Sequence, residues 1–253
     1  MISITIIGSG NVAHHLAKAI SDSPELELVQ MAMRNSTNAP SSIETSKITT
    51  DFSNLKDADL YLVAVSDESI ENVINLLAQP DRLIAHTSGT SDLNVSAANY
   101  RKGVFYPLQT FSKSKEVLFE TVPICLEATS DFDYHLLEKV AGALSNSVYS
   151  ISSKQRKSLH VAAVFVCNFV NHLYTQGEAI CTDNNIDFSI LKPLILETAN
   201  KIMSVAPSEA QTGPAKRKDT LTINNHLHFL TDENQKEIYK LLTQSIINHG
   251  KKL

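Results

Sequence analysis

Ile2-Ser3-Ile4-Thr5-Ile6-Ile7-Gly8-Ser9-Gly10-Asn11-Val12-Ala13 opens the chain, and its reading decides the fold. The apolar, β-branched run predicts a strand over residues 2–7. Val12, Leu16, Ala19 and Ile20 recur at helical spacing and predict a helix over 11–21. The turn between them has the form Gly-x-Gly-x-x-Ala. Its first glycine permits the tight turn, its second lets backbone approach a pyrophosphate, and Ala13 is small enough for close helix–strand packing. The helix start adds free N–H groups and the positive end of its dipole, both suited to phosphate. Such a pattern alone is weak, but a strand before it and a helix after it imply a dinucleotide site. That reading assigns Gly8, Ser9, Gly10, Asn11 and Val12 to the cofactor.

Working outward, further strands are predicted over 27–33, 48–50, 58–65, 83–86, 104–106, 122–126 and 148–151, with helices over 70–78 and 132–144. The near-continuous apolar run at 58–65 is that of a strand buried on both faces. Strands separated by helices imply βαβ units and a doubly wound parallel sheet. After Ile151 the texture changes to helical blocks at 154–181, 188–205 and 232–249, with a polar connection over 207–225. The expected fold is α/β: a doubly wound parallel sheet in residues 1–152, followed by an all-α domain in 153–253.

The 253 residues carry a net charge of -5, which argues against a nucleic-acid binder, since those present a basic face. The 3 cysteines, Cys125, Cys167 and Cys181, form no CxxC pair and read as buried thiols of a reducing compartment, the cytoplasm. The chain opens without a basic n-region, so no signal peptide is expected. From Ser158 to Gly177 there is no Asp, Glu, Lys or Arg, roughly the length of a bilayer span. His160, Asn168, Asn171, His172 and Gln176 make it too polar for lipid. A helix apolar nearly all round must then be covered by protein, and it is expected as the central helix of the second domain, at a homodimer interface.

The end of the second strand selects between NAD and NADP. An NAD protein places a carboxylate there for the ribose 2′-hydroxyl. Here the strand runs into Arg34-Asn35-Ser36, which can fork and donate to a 2′-phosphate, so NADP is expected. Val65 and Ser66 end the fourth strand. In the usual strand order they lie beside the first, at the switch point where ligands bind. His86-Thr87-Ser88-Gly89-Thr90 ends the fifth strand and faces the same crevice; ordinary turn chemistry explains these residues equally well.

With these residues assembled, the chain resembles the reductases that join a Rossmann domain to a helical domain, among them pyrroline-5-carboxylate reductase and 6-phosphogluconate dehydrogenase. It resembles more closely a bacterial family of uncharacterised NADP oxidoreductases, a Rossmann-like domain followed by DUF2520. His86-Thr87-Ser88-Gly89 is similar to that family's HTSG turn. Pro107-Leu108-Gln109-Thr110-Phe111 is similar to its HPLQTF segment, with Tyr106 in place of His. Thr212-Gly213-Pro214-Ala215-Lys216-Arg217-Lys218-Asp219, with His226-Leu227 beyond it, is similar to TGPxxRGD…HL, with Lys218 in place of Gly. The resemblance implies a small-molecule NADP oxidoreductase, dimeric through its helical domain.

A cofactor that carries the hydride leaves the protein to position substrate and move a proton. The KxxxN pattern of β-hydroxyacid dehydrogenases is broken here, because Val164 stands at the lysine position before Asn168. His160, eight residues before Asn168, is slightly over two turns away on a regular helix. It is a candidate general acid, with Asn168 orienting substrate and Ser88 a third candidate catalytic group; a hydrogen-bonded core histidine is the competing reading. Thr87, Gln109, Thr212 and Arg217 are candidate substrate residues, Arg217 through a bidentate carboxylate clamp, although Lys216-Arg217-Lys218 reads equally as a solvated basic run. The nine histidines show no HExxH spacing, and no metal is expected. The expected activity is NADP(H)-dependent reduction of an imine or carbonyl on a small molecule. The alternatives are a catalytically silent NADP-binding sensor or scaffold, and an oxidoreductase whose partner substrate is a deazaflavin, which would need a wide basic cleft near Thr87-Ser88. Substrate is expected between the domains, over the carboxyl ends of the strands.

Overall fold

The run Ile2–Ile7 forms strand β1 and Asn11–Asp22 forms helix α1 in the computed structural model, which describes residues 1–249. The chain divides into two compact units, one of Met1–Cys167 and one that begins at Asn168. In the first unit β2 (Leu26–Ala32), β3 (Ile48–Thr49), β4 (Leu60–Val63), β5 (Leu83–His86), β6 (Arg101–Pro107), β7 (Ile124–Ala128) and β8 (Val148–Ser150) join β1 in a sheet of order β3-β2-β1-β4-β5-β6-β7-β8. The chain winds one way through β1–β3 and the other way through β4–β6, so the switch point falls between β1 and β4, which pair in parallel from Ile4 with Leu60 to Ile7 with Val63. This is the Rossmann arrangement expected for the N-terminal part.

Helices α1 and α3 (Asp131–Gly142) cover one face, burying Leu16, Ile20, Leu137 and Val140 against β-strand residues such as Ile4, Ile6 and Leu126. Helix α2 (Asp67–Leu77) covers part of the other, through Ile70, Ile74 and Leu77 packed on Tyr61, Val63 and Ile84. Residues of the central strands therefore meet apolar neighbours on both faces, which is why 58–65 reads as a nearly unbroken apolar run.

The sheet departs from the expected parallel pattern at one place. Strand β7 runs antiparallel to β6, with Phe105 opposite Leu126, and β8 runs parallel to β7. A parallel return needs a crossover across a face, but residues 108–123 contain only the short turn Phe119–Thr121, so the chain doubles back beside β6.

Helix α4 (Ser153–Ala163) starts directly after β8. Ser152 caps it reciprocally: its hydroxyl accepts from the Gln155 N–H, while the Gln155 side chain accepts from the Ser152 N–H. Such a box is worth about 1 kcal/mol. The helix expected to run unbroken over 154–181 instead passes through a π-helical segment, Val164–Phe169, before continuing as α5 (Val170–Asp183). The wider turn changes which residues share a face, so the regular two-turn spacing between His160 and Asn168 does not apply.

In the second unit α6 (Lys192–Lys201) and α10 (Glu233–His249) lie within the helical blocks read from the sequence. The polar connection over 207–225 folds into α7 (Pro207–Ala210), α8 (Pro214–Arg217) and α9 (Thr220–Phe229). Proline opens α7 and α8, where its missing N–H costs nothing. The Asp219 carboxylate accepts from the Thr222 N–H at 3.1 Å and the Thr222 hydroxyl at 2.7 Å, capping α9. Lys218 takes the left-handed conformation, φ 56°, that a glycine adopts without strain.

The uncharged stretch over 158–177 is not a buried central helix within this chain. Val161, Phe165, Val166 and Phe169 are exposed, as are Leu194, Leu196, Leu221 and Leu241 further on. Among the described residues no helix is long and apolar enough to cross a membrane.

Candidate active site

The glycine turn is built as its sequence requires. Gly8 has φ +133°, and a Cβ there would stand 2.1 Å from the carbonyl oxygen of Ala64 at the end of β4. A side chain at this position would collide with the neighbouring strand. The Gly8 N–H donates to Ala32 O at 2.8 Å, tying the turn to β2. Gly10 is different. It is the exposed N-cap of α1, makes no side-chain cap bond, and a Cβ there would meet nothing within 4 Å. Open space above the second glycine, in front of a helix start without a side-chain cap, fits a pyrophosphate approaching the backbone. Asn11 is anchored beside it, its Nδ2 donating to Phe111 O at 2.8 Å, and the His15 and Phe111 rings pack 5.1 Å apart. The segment after β6 is thereby tied to α1.

Arg34, Asn35 and Ser36 are exposed just past the end of β2. Asn35 Oδ1 accepts from the Thr37 N–H and hydroxyl at 3.0 and 2.9 Å and caps the short turn Ser36–Asn38. Its amide nitrogen is the part of the side chain left to donate elsewhere. At the switch point, Val65 is half-buried and Ser66 forms the N-cap of α2, its hydroxyl 2.9 Å from that of Ser69.

The turn after β5 is made rigid by its own polar groups. His86 is 1% exposed, and burial, with the nearby Arg156 guanidinium, lowers its pKa to about 4. The ring is therefore neutral at ordinary pH. Its Nδ1 accepts from the Ser88 N–H at 3.3 Å, so the proton sits on Nε2 and is donated to Asp92 O at 3.1 Å. Ser88 Oγ accepts from the N–H groups of Thr90 and Ser91, both at 3.0 Å, which spends that hydroxyl on the turn. The Thr87 N–H donates to Val63 O at 3.1 Å, and the Thr90 hydroxyl donates to the Asp67 carboxylate in a short bond.

The turn brings Gly89 against two aromatic rings. Tyr106 at the end of β6 and His160 on α4 meet with Tyr106 Oη 3.1 Å from His160 Nδ1. Tyr106 is buried, which raises its phenol pKa to about 12. One turn before His160, Arg156 is wholly buried. It pairs with Glu127 on β7 and donates to Ser91 O and to Ser153 Oγ. Glu127 also accepts from the Ser153 N–H and hydroxyl, each at 2.8 Å. Helix α4 is thus fastened both to the sheet and to the turn carrying Gly89.

The first unit therefore sets the glycine turn, Val65-Ser66 and Thr87-Ser88 at the carboxyl ends of adjacent strands, and adds His160 there through Gly89 and Tyr106. Gln109 follows β6, but its Oε1 accepts from the Thr110 N–H at 2.8 Å, folding the side chain back on its own loop. Asn168, Thr212 and Arg217 belong to the second unit, and all three are exposed. Arg217 ends α8. Asp67 and Arg156 were not singled out from the sequence, and Tyr106 and Gly89 stood there only inside quoted motifs, with no role of their own. Arg156 could have been found from the i, i+4 spacing that puts it on the His160 face.

Residues 122–246 match the family described as Domain of unknown function (DUF2520). Over the full length, the putative NADP oxidoreductase BF3122 from Bacteroides fragilis is 38% identical, with 98% of each chain covered and a TM-score of 0.88. The chain belongs to the DUF2520 family. Two more distant structures share the fold. Protein TM1727 from Thermotoga maritima is 18% identical over 98% of each chain, TM-score 0.72. The reductive aminase from Aspergillus terreus, solved with NADPH and ethyl levulinate, is 12% identical over 99% of this chain and 95% of its own, TM-score 0.69. No curated protein matches the chain. Among the described residues no group of three or more His, Cys, Asp or Glu side chains could hold a metal ion.

Proposed function

We propose that this DUF2520 protein is an NADP(H)-dependent oxidoreductase that reduces the C=N or C=O bond of a small molecule. The observation that carries this reading is the turn at the switch point, with Gly8 pressed on β4 and Gly10 open above the start of α1. The 38% identity to a Bacteroides fragilis protein named as a putative NADP oxidoreductase supports it. Gly8, Ser9, Gly10, Asn11 and Val12 would hold the pyrophosphate, Val65 and Ser66 the nicotinamide half, and Arg34, Asn35 and Ser36 the 2′-phosphate. When bound, NADP(H) supplies the hydride.

A reduced imine or carbonyl must gain a proton on nitrogen or oxygen, and His160 is the proton donor in this reading, with Thr87 and Gln109 of the same unit as substrate contacts. Ser88 acts in it by shaping the turn. A silent sensor has no need of an ionisable pair at the strand ends, and the Tyr106–His160 contact favours an enzyme. Around Thr87-Ser88 stand hydroxyls and the Asp67 carboxylate, and the nearby Arg156 guanidinium is buried and paired with Glu127, which does not support a basic deazaflavin cleft. The exposed apolar side chains of Phe169, Leu173, Leu194 and Leu196 support a homodimer through the helical residues beyond Ser152.

The test follows NADPH absorbance with a panel of cyclic imines, aldehydes and 2-oxo acids. Wild type is expected to oxidise NADPH with at least one of them, and His160→Ala to do so about a hundredfold more slowly, the low end of general-acid contributions. Failure of the purified protein to bind NADPH in a calorimetric titration would refute the proposal.

A further inference from the structure

We infer that Tyr106 is a positioning residue for His160: its hydroxyl engages ring nitrogen Nδ1 and so leaves Nε2 as the atom that exchanges a proton with substrate, in a contact that the absent side chain of Gly89 makes room for. This rests on the reading of His160 as the proton donor.

Three separate segments make the contact. A Cβ on Gly89 would stand 2.6 Å from His160 Nδ1, 2.9 Å from His160 Cγ and 2.9 Å from Tyr106 Cζ. Its φ lies outside the left-handed range, so backbone conformation does not demand glycine at this position. Space does. The two rings meet edge-on, centroids 6.2 Å apart and planes at 60°, with the hydroxyl 3.1 Å from Nδ1.

Each partner is held from behind. Tyr106 is buried in a cluster with Leu93, Val104 and Cys125, against which Leu159, the neighbour of His160, also packs. Helix α4 is capped by Ser152 and fastened by Arg156 to Glu127 and to Ser91 O. The turn bearing Gly89 is braced by Ser88 Oγ and the neutral His86 ring. A histidine free to rotate would lose rotamer entropy on each use; this one is already ordered.

The chemistry follows from what a phenol can do. A hydroxyl both donates and accepts, so Tyr106 stays bonded to Nδ1 in every protonation state of the imidazole. Burial keeps its own proton in place, with the pKa pushed up to about 12, and it serves as a hydrogen-bond partner rather than a base. Among the described residues Nε2 has no protein partner. In the transfer the Nε2–H bond of the imidazolium breaks and a bond from that proton to the substrate nitrogen or oxygen forms. The ring becomes neutral, keeps its Nδ1 proton on Tyr106 Oη, and regains a proton at Nε2 from water.

The test reads the ring directly. Full-length protein labelled with ¹⁵N-histidine is examined by long-range ¹H–¹⁵N correlation, with His160 assigned from the spectrum of His160→Gln. In wild type, the nitrogens of the neutral His160 ring are expected at the separated shifts of one tautomer. In Tyr106→Phe, which keeps the ring and its burial, they are expected to move toward the averaged shifts of free imidazole. Gly89→Ala is expected to perturb the same two nitrogens. Unchanged His160 nitrogens in Tyr106→Phe overturn the inference, and so does an averaged pair in wild type, a result independent of whether any variant folds. In parallel, NADPH oxidation with the imine or carbonyl found active in the panel is expected to fall about tenfold or more in Tyr106→Phe, with NADPH affinity unchanged. Undiminished oxidation by His160→Gln would instead remove the proton-donor reading beneath it, so the two failures are distinguishable.

Discussion

His86 should make the protein lose stability in mild acid, as pH falls from about 6.5 towards 4. The ring is 1% exposed and its pKa is lowered from 6.5 to about 4. The unfolded chain therefore binds a proton between these values that the folded chain refuses. The sign follows: the stabilisation is complete above about 6.5 and is lost progressively as pH falls towards 4. A difference of about 2.5 pKa units at 1.36 kcal/mol each amounts to about 3 kcal/mol, a large share of a typical 5–15 kcal/mol stability. Urea unfolding midpoints measured across that window give the slope. His14, whose pKa burial also lowers, adds to it with the same sign, so the comparison is with His86→Gln. Its absolute stability will be lower, because Ser88 N–H loses an acceptor, but its stability should change about 3 kcal/mol less across the window. Parallel pH profiles for wild type and His86→Gln would refute the assignment of a buried neutral ring.

Further outcomes follow from the other charged and apolar groups. Arg34→Ala should weaken NADP(H) binding by about 1.5–3 kcal/mol, the worth of a hydrogen bond to a charged group, and hardly alter NAD(H); equal losses in calorimetric titrations of both cofactors would discard the 2′-phosphate role. Glu127→Ala leaves the fully buried Arg156 without its carboxylate and should cost about 3 kcal/mol. At about 2–4 °C per kcal/mol for a chain of this size, the melting temperature should fall by about 6–12 °C, and an unchanged value in calorimetry would show that the pair does not stabilise α4. Light scattering at micromolar concentration should give the mass of a dimer, while a stable monomer would leave the apolar helical surfaces unexplained.

Local rules made the nucleotide-binding half legible. The alternation of β-branched runs with helical periodicity is set by backbone geometry and by which face must leave water, so the strands at 2–7 and 83–86 and the turn at Gly8–Ala13 could be read from neighbours in the chain. The reversal at β7 could not, because it depends on what residues 108–123 fail to build. Helix α9 was hidden for a similar reason: its apolar residues Leu221, Ile223, Leu227 and Phe229 do not gather into a clear stripe, and its start depends on one capping carboxylate at Asp219.

The candidate site divides along the same line. The sequence by itself determined a glycine turn between a strand and a helix, an Arg34 in place of a carboxylate, and a histidine on the helix after the sheet, since each is a matter of residue type at a short spacing. Only the tertiary structure decided what that histidine touches. Gly89, Tyr106 and His160 lie 17 and 54 residues apart along the chain, and nothing in a one-dimensional pattern marks a glycine kept for space rather than for φ. Strand pairing and the buried Arg156–Glu127 tie bring them within hydrogen-bonding distance. A side chain's partners are set by packing across the sheet, a property of the folded chain and not of its neighbours in sequence.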